Sequence, residues 1–211
     1  MAGNKGLYVI KNGKAKTIID GRYINKLYKS RYKNRVYIGA AEGFFSVNEE
    51  NGEWNIEEYF QQFENNIVSI VERDNHNLWL GSENVAYKVR IDDEAKPIEI
   101  RTYHFETETA EEVYVREIYG KPFFFLRSGI YGFDAEIDSI YYNDEVNERF
   151  FNRYRYIFSQ NTITWILSNN EWVNINHEPE LLSLKSFYLN LFDDIQNIFV
   201  DEDQNLWIIE G

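Results

Sequence analysis

The chain has 211 residues, 44% of them apolar and 17% aromatic, with 22 basic against 35 acidic residues and a net charge of −13. That length suits one domain able to bury roughly 70% of its unfolded surface, and the composition excludes a disordered chain. The acidic balance argues against nucleic acid or an anionic membrane as partner, and the absence of cysteine removes disulfides, thiolate catalysis and thiolate zinc sites.

No apolar run reaches the roughly 18 residues of a membrane span, and the opening MAGNKGLYVIK lacks a secretory apolar region. From there the chain reads as strands. GLYVIKNGKAKTI (6–18) has the form of two strands. INKLYKSRYKNRVYIGAAEGFF (24–45) follows with Ile24, Leu27, Val36-Tyr37-Ile38-Gly39 and Gly43-Phe44. Next come short β-branched and aromatic runs at 67–72, 78–82, 85–90 and 98–105, separated by turn-formers at 74–77, 83–84 and 92–93. VREIYGKPFFFLRSGIYGFD (115–134) and YRYIFSQNTITWILSNNEW (154–172) have the same outline, and the chain closes on runs at 195–200 and 206–209. Two stretches, IEEYFQQFENNI (56–67) and LLSLKSFYLNLF (181–192), place apolar residues three and four apart. They fit helical turns as well as fourth strands.

These runs repeat. Aligning the two Asn-Leu-Trp segments pairs Ile67 with Ile195, Ile70 with Ile198, Asn77 with Asn205, Leu78 with Leu206 and Trp79 with Trp207. The aromatic anchors Tyr37, Trp79, Phe124, Trp165 and Trp207 are separated by 42, 45, 41 and 42 residues. Four strands in about 42 residues is the spacing of a propeller blade. The expected fold is therefore all-β, one propeller domain over residues 1–211, with about five blades of four antiparallel strands. The opening supplies a third and fourth strand and the ending a first and second. In a closed ring, Gly6–Ile19 would complete the fifth blade, and closure removes exposed strand edges. The alternative is five blades of a larger ring.

IVSIVERDNHNLWLGS and IQNIFVDEDQNLWI resemble the two-component-regulator propeller repeat, in which Ile-x-x-Ile is followed by Asp, Asn-Leu-Trp-Leu-Gly-Thr and Gly-Leu. Here Ser82 replaces the Thr, Val85-Ala86 the Gly-Leu and Ile209 the Gly, and a Phe run replaces the Trp at 122–127. The resemblance implies an extracytoplasmic sensory part of a bacterial histidine kinase, often a glycan sensor, or an envelope protein. The motif holds structural residues and no catalytic ones.

The repeat aromatics are expected between blades, each contributing roughly 2–3 kcal/mol when buried. Gly39 and Gly81 are expected to ease a close backbone approach or a bulge. Asp201, Asp203 and Asn205 are spaced like the start of a calcium loop, but Leu206 stands where its glycine belongs, so a hairpin turn is expected. The acid pairs Asp92-Asp93, Glu111-Glu112 and Asp193-Asp194 lie in turn-like contexts. His76, His104 and His177 lack metal spacing, and no nucleophile elbow or phosphate loop is present. No cofactor, metal or catalytic residue is expected.

One stretch runs against the overall charge. RYINKLYKSRYKNR (22–35) carries Arg22, Lys26, Lys29, Arg31, Lys33 and Arg35 without an acid. It reads as a solvated hairpin or as a positive patch for an anionic group or acidic partner. RFFNRYRY (149–156) alternates Arg149, Arg153 and Arg155 with Phe150, Tyr154 and Tyr156, a composition suited to sugars or protein partners. The candidate contact residues are thus Arg22, Lys26, Lys29, Arg31, Arg153, Arg155 and Tyr156. The expected function is a non-catalytic ligand-sensing or protein-interaction module, with a small molecule, glycan or protein as partner and a homodimer as one assembly. A propeller glycoside hydrolase or lyase is the alternative, requiring acids that converge in the channel.

Overall fold

The computed structural model describes residues 2–60, 62–118, 120–150, 154–160, 163–168, 171–174, 191–192, 195–200 and 205–210. Strands β1 (Ala2–Gly3), β2 (Gly6–Lys11) and β3 (Lys14–Asp20) form the first sheet. The second holds β4 (Ile24–Lys29), β5 (Val36–Ala40), β6 (Gly43–Glu50) and β7 (Glu53–Glu57) in chain order. The third holds β8 (Ser69–Asp74), β9 (Asn77–Gly81), β10 (Val85–Ile91) and β11 (Pro97–His104), and the fourth β12 (Tyr114–Ile118), β13 (Lys121–Leu126), β14 (Gly129–Asp134) and β15 (Ser139–Tyr142). A short helix, α1 (Asp144–Phe150), precedes β16 (Tyr154–Gln160), β17 (Ile163–Ser168) and β18 (Glu171–Asn174). β19 (Ile195–Val200) pairs with β20 (Leu206–Glu210). The whole is all-β, built of antiparallel meanders whose complete members resemble propeller blades.

Local chemistry explains the meanders. At residues 12–13 and 51–52, Asn-Gly pairs both adopt positive φ, the requirement of a two-residue hairpin turn, and they join Lys11 to Lys14 and Glu50 to Glu53. Within the third sheet, Leu78 to Gly81 of β9 are all buried, whereas β11 is largely exposed. A strand covered on both faces has no use for polar alternation, so its sequence is a nearly continuous apolar run.

Four apolar clusters alternate with the sheets. Leu7 and Ile19 of the first sheet meet Ile24, Ile38 and Val47 of the second. Tyr37 and Phe44 share a cluster with Ile70, Leu80 and Val89 of the third. Val71 and Trp79 share one with Val115, Phe124 and Phe133 of the fourth, and Phe125 and Ile130 lie with Ile166 of β17. Trp79 is edge-on to Phe124 at 5.2 Å and to Phe133 at 4.9 Å, contacts that add about 0.5–1.5 kcal/mol each to its burial.

Successive sheets are also joined by hydrogen bonds. Ile67 N–H donates to the Ala40 carbonyl and Val113 N–H to that of Ser82, both at 2.9 Å. The residue before each acceptor is a glycine. A Cβ on Gly39 would lie 2.6 Å from the Ile67 carbonyl oxygen, and one on Gly81 1.9 Å from that of Val113. The glycine of the repeat is therefore a close-approach residue between sheets. Farther out, Asp138 in the turn before β15 accepts from Lys88 Nζ and Tyr103 OH, both at 3.0 Å, and from Arg101, clamping the third sheet to the fourth.

The structure departs from expectation in three places and does not show ring closure. Residues 56–67 form neither a helix nor a full strand: β7 ends at Glu57, and the following loop inserts Phe60 and Phe63 into the core. Their spacing of three serves a loop plugged between two sheets. The corresponding stretch at 181–192 lies mostly outside the described residues. Helix α1 was not anticipated. The Asn143 side chain caps it by accepting from Val146 N–H at 3.0 Å, and buried Asn147 binds both backbone groups of Ile130 in β14. Ring closure is not seen among the described strands: β2 takes β1 as partner at Gly6 and Leu7, and β19–β20 is a separate pair. Finally, Tyr37, Trp79 and Phe124 are buried, but Trp207 is 59% exposed. Trp165 lies in β17, paired with Phe158 and Asn174.

Candidate functional site

The basic stretch does not form one patch. Arg22, between β3 and β4, lies 5.1 Å from the Phe45 ring centre and 3.4 Å from Glu58. Lys33 leaves its own sheet, its Nζ donating to the carbonyls of Asp92 and Asp93 at 3.1 and 3.0 Å. Arg35 pairs with Glu57 at 2.7 Å, with both side chains nearly covered. Arg31 presents its backbone N–H to Glu72 at 2.7 Å, while Lys29 is exposed at the end of β4. Much of this positive charge therefore ties the second sheet to acids of its own outer strand or to the third sheet. The second candidate group is divided too. Arg149 lies in α1, Arg153 outside the described residues, and Arg155 and Tyr156 at a register shift in β16.

Arg22 does border a cavity. It has a volume of about 430 Å3 and is lined by Arg22, Glu42, Phe44, Phe45, Glu58, Phe60, Phe63 and Glu64. Its wall comes from the β3–β4 connection, the β5–β6 turn and the β7–β8 loop. Phe60 and Phe63 approach Phe44 edge-on at 4.6 and 6.0 Å, giving the cavity an aromatic floor under a rim of three carboxylates and one guanidinium. Such a lining suits a ligand with an apolar or planar body and polar substituents.

The first strands β4, β8 and β12 lie side by side and carry a different set of charges. Glu72 of β8 is fully buried, accepting from Ser30 Oγ at 2.6 Å and from Arg31 N–H. Lys26 of β4 is half-buried. Loss of hydration, and then the positive charge of Arg116, push its ammonium down to about 8. Arg116 of β12 is buried, and burial pushes its guanidinium down to about 10. Burial likewise raises the Tyr28 and Tyr37 hydroxyls, keeping both neutral.

The acids weighed for catalysis have local partners. The Asp92 carboxylate accepts from the backbone N–H groups of Glu94 and Lys96, a turn-capping role, and Asp93 is 90% exposed beside His76. Glu111 accepts from Ser128 N–H, and Glu112 from the Tyr114 hydroxyl. Among the described residues, no three His, Asp or Glu side chains gather to hold a metal, and no helix is long and apolar enough to cross a membrane. Asp193-Asp194, His177, Asp201 and Asp203 lie outside the described residues. Sequence reading missed Arg116, Glu72 and the Phe60–Phe63 loop. The available signal was a charged residue inside a strand otherwise rich in Val and Ile.

The fold is an all-β module built of blade-like antiparallel sheets. Its likeness to solved structures agrees. The chain superimposes over 98% of its length on the extracellular domain of the one component system BT4673 from B. thetaiotaomicron, with a TM-score of 0.58 and 14% identity, covering 30% of that chain. A second structure, of the extracellular domain of the hybrid two component system BT4673, matches over 98% of this chain and 35% of that one, with 13% identity and a TM-score of 0.47. The chain thus spans about a third of the length of these structures. No family model and no curated protein matches it.

Proposed function

We propose that this chain is a non-catalytic ligand-sensing or protein-interaction propeller, the sensory part of a two-component signalling protein that works outside the cytoplasm. The observation that carries the reading is the cavity of about 430 Å3 at the junction of three connecting segments. Propellers recognise ligands with side chains gathered from the loops of neighbouring blades, and this cavity draws on three such segments. Likeness to the extracellular part of a signalling protein supports the same reading. In this reading a ligand held between the second sheet and the loop that follows β7 changes how that loop packs, and a signalling segment of the same protein responds. The natural reading frame around the chain tests the signalling part. A membrane span joined to a kinase or DNA-binding segment is expected, and a polypeptide with neither overturns it.

The same reading has the ring closing through β20 against β2, with β1 displaced from Gly6 and Leu7. By the register Ile38↔Phe45, closure sets Ile208 opposite Tyr8. Because the chain has no cysteine, the double variant Tyr8→Cys, Ile208→Cys reports this cleanly. An intramolecular disulfide in dilute monomer supports closure, and its absence under oxidising conditions refutes it.

A further inference from the structure

The cavity at the end of the second sheet is uneven in charge. Its rim sets Glu42, Glu58 and Glu64 against one cation, Arg22. Arg22 pairs with Glu58 at 3.4 Å, through side chains that are both exposed. The carboxylates of Glu42 and Glu64 have no hydrogen-bond or ion-pair partner among the described residues. Below the rim the walls are aromatic. Phe60 and Phe63 stand edge-on to Phe44, and the ring centre of Phe45 lies 5.1 Å from the Arg22 guanidinium. Carboxylates over aromatic rings hold a cation on an apolar body. The ring quadrupole attracts the charge, and low-dielectric walls concentrate the field of the acids. Arg22 already makes both contacts, on Phe45 and with Glu58, which leaves two of the three acids uncompensated.

The loop that forms one wall is pinned in place. Phe63 N–H donates to the Phe60 carbonyl at 3.1 Å, and Asn25 Nδ2 donates to Asn66 Oδ1 at 2.6 Å. The Phe63 carbonyl oxygen lies so close to the β5–β6 turn that a Cβ on Gly43 would come within 2.2 Å of it. A wall shaped in advance lowers the ordering cost of binding.

We propose that this cavity takes an organic cation, an ammonium or guanidinium carried on an aliphatic or aromatic body. The inference rests on the reading of the cavity as the ligand site and adds the charge of the ligand. Glu42 and Glu64 are the free counter-charges, and Phe44, Phe60 and Phe63 receive the apolar body. An anion of the same shape is repelled by the rim, and a neutral molecule gains nothing from its charge.

Benzamidine, benzamide and benzoate are near-isosteres that are cationic, neutral and anionic at neutral pH. Each is titrated into the whole chain at low ionic strength, with the 13C-aromatic NMR signals of Phe60 and Phe63 as readout. Benzamidine should give a saturable shift roughly tenfold tighter than benzamide, and benzoate none. In the double variant Glu42→Gln, Glu64→Gln, whose replaced side chains are exposed, benzamidine should weaken about tenfold while benzamide is unchanged. Arg22→Gln, which frees Glu58 and the Phe45 ring, should tighten benzamidine. Loss of binding there would make the guanidinium a partner of the ligand and overturns the proposal. Equal affinities for benzamidine and benzamide overturn the cation and leave the cavity standing as the ligand site. No saturable shift with benzamidine also overturns it. The signalling reading falls only on the reading frame around the chain, so the two failures are told apart.

Discussion

Replacing Gly81 by alanine should cost far more than a methyl group ordinarily does. The added Cβ would sit 1.9 Å from the Val113 carbonyl oxygen and 2.5 Å from Ser69 Oγ. An ordinary C···O contact is about 3.3 Å, so β12 must retreat by more than about 1 Å. Three hydrogen bonds hold it there: Val113 N–H to the Ser82 carbonyl at 2.9 Å, Ser69 Oγ to the Val113 carbonyl at 3.1 Å and Val115 N–H to Ser69 Oγ at 2.8 Å. At about 1 kcal/mol for each bond weakened, and more where a buried group is left unpaired, the loss is about 3–5 kcal/mol. Gly39→Ala, with its Cβ 2.6 Å from the Ile67 carbonyl oxygen, should lose less. Gly52→Ala should lose only about 1 kcal/mol, since nothing lies within 4 Å and only its positive φ resists. Urea unfolding followed by tryptophan fluorescence and far-UV circular dichroism measures all three. A Gly81→Ala loss below about 1 kcal/mol at unchanged m-value would refute the close-approach account.

Trp79→Ala should destabilise by about 3–5 kcal/mol, whereas Trp207→Ala, at a site 59% exposed with the ring open, should cost under about 1 kcal/mol in the same assay unless β20 closes on β2. Equal losses would show that Trp207 is covered in solution. Asp138 accepts from Lys88, Arg101 and Tyr103, and the Lys88 hydrogen bond leads the effects that hold its carboxyl at about 2, below the ordinary 3.8. Its stabilisation is fully present above pH 4 and disappears as pH falls toward 2, so Asp138→Asn should remove that part of the acid sensitivity. An unchanged acid-unfolding profile in the variant would contradict this. Lys26 has the opposite sign. With its ammonium at about 8 when folded and 10.5 when unfolded, the folded state binds fewer protons between pH 8 and 10, so stability rises across that window. The full difference corresponds to roughly 3 kcal/mol. Urea midpoints at pH 7.5 and 9.5 should show this rise in the wild type and not in Lys26→Met; parallel slopes would refute it.

The meander was legible because strand chemistry is local. The apolar run at 78–80, the turn-formers at 74–77 and the recurrence of aromatic anchors about every 42 residues each reflect a backbone that must pair, turn and stack in a small space. Gly39 and Gly81 were legible for the same reason, because a strand glycine marks a place where another backbone comes close. Helix α1 also had a local signal in Asn143 ahead of Asp144 and Glu145, a cap followed by an acidic first turn.

Charge placement followed another rule. Arg22, Lys33 and Arg35 are near neighbours in the chain, yet their surroundings are, respectively, an aromatic cavity, the carbonyls of the next sheet and an acid of β7. Coulomb energy and desolvation depend on distance and burial in space, and a hairpin sends successive side chains to different sheets. Phe60 and Phe63 were read for their spacing, but the space between two sheets determined that they plug a loop. Local pattern thus specified the strands and their repeat, while packing between sheets selected which charges are paired and which are buried.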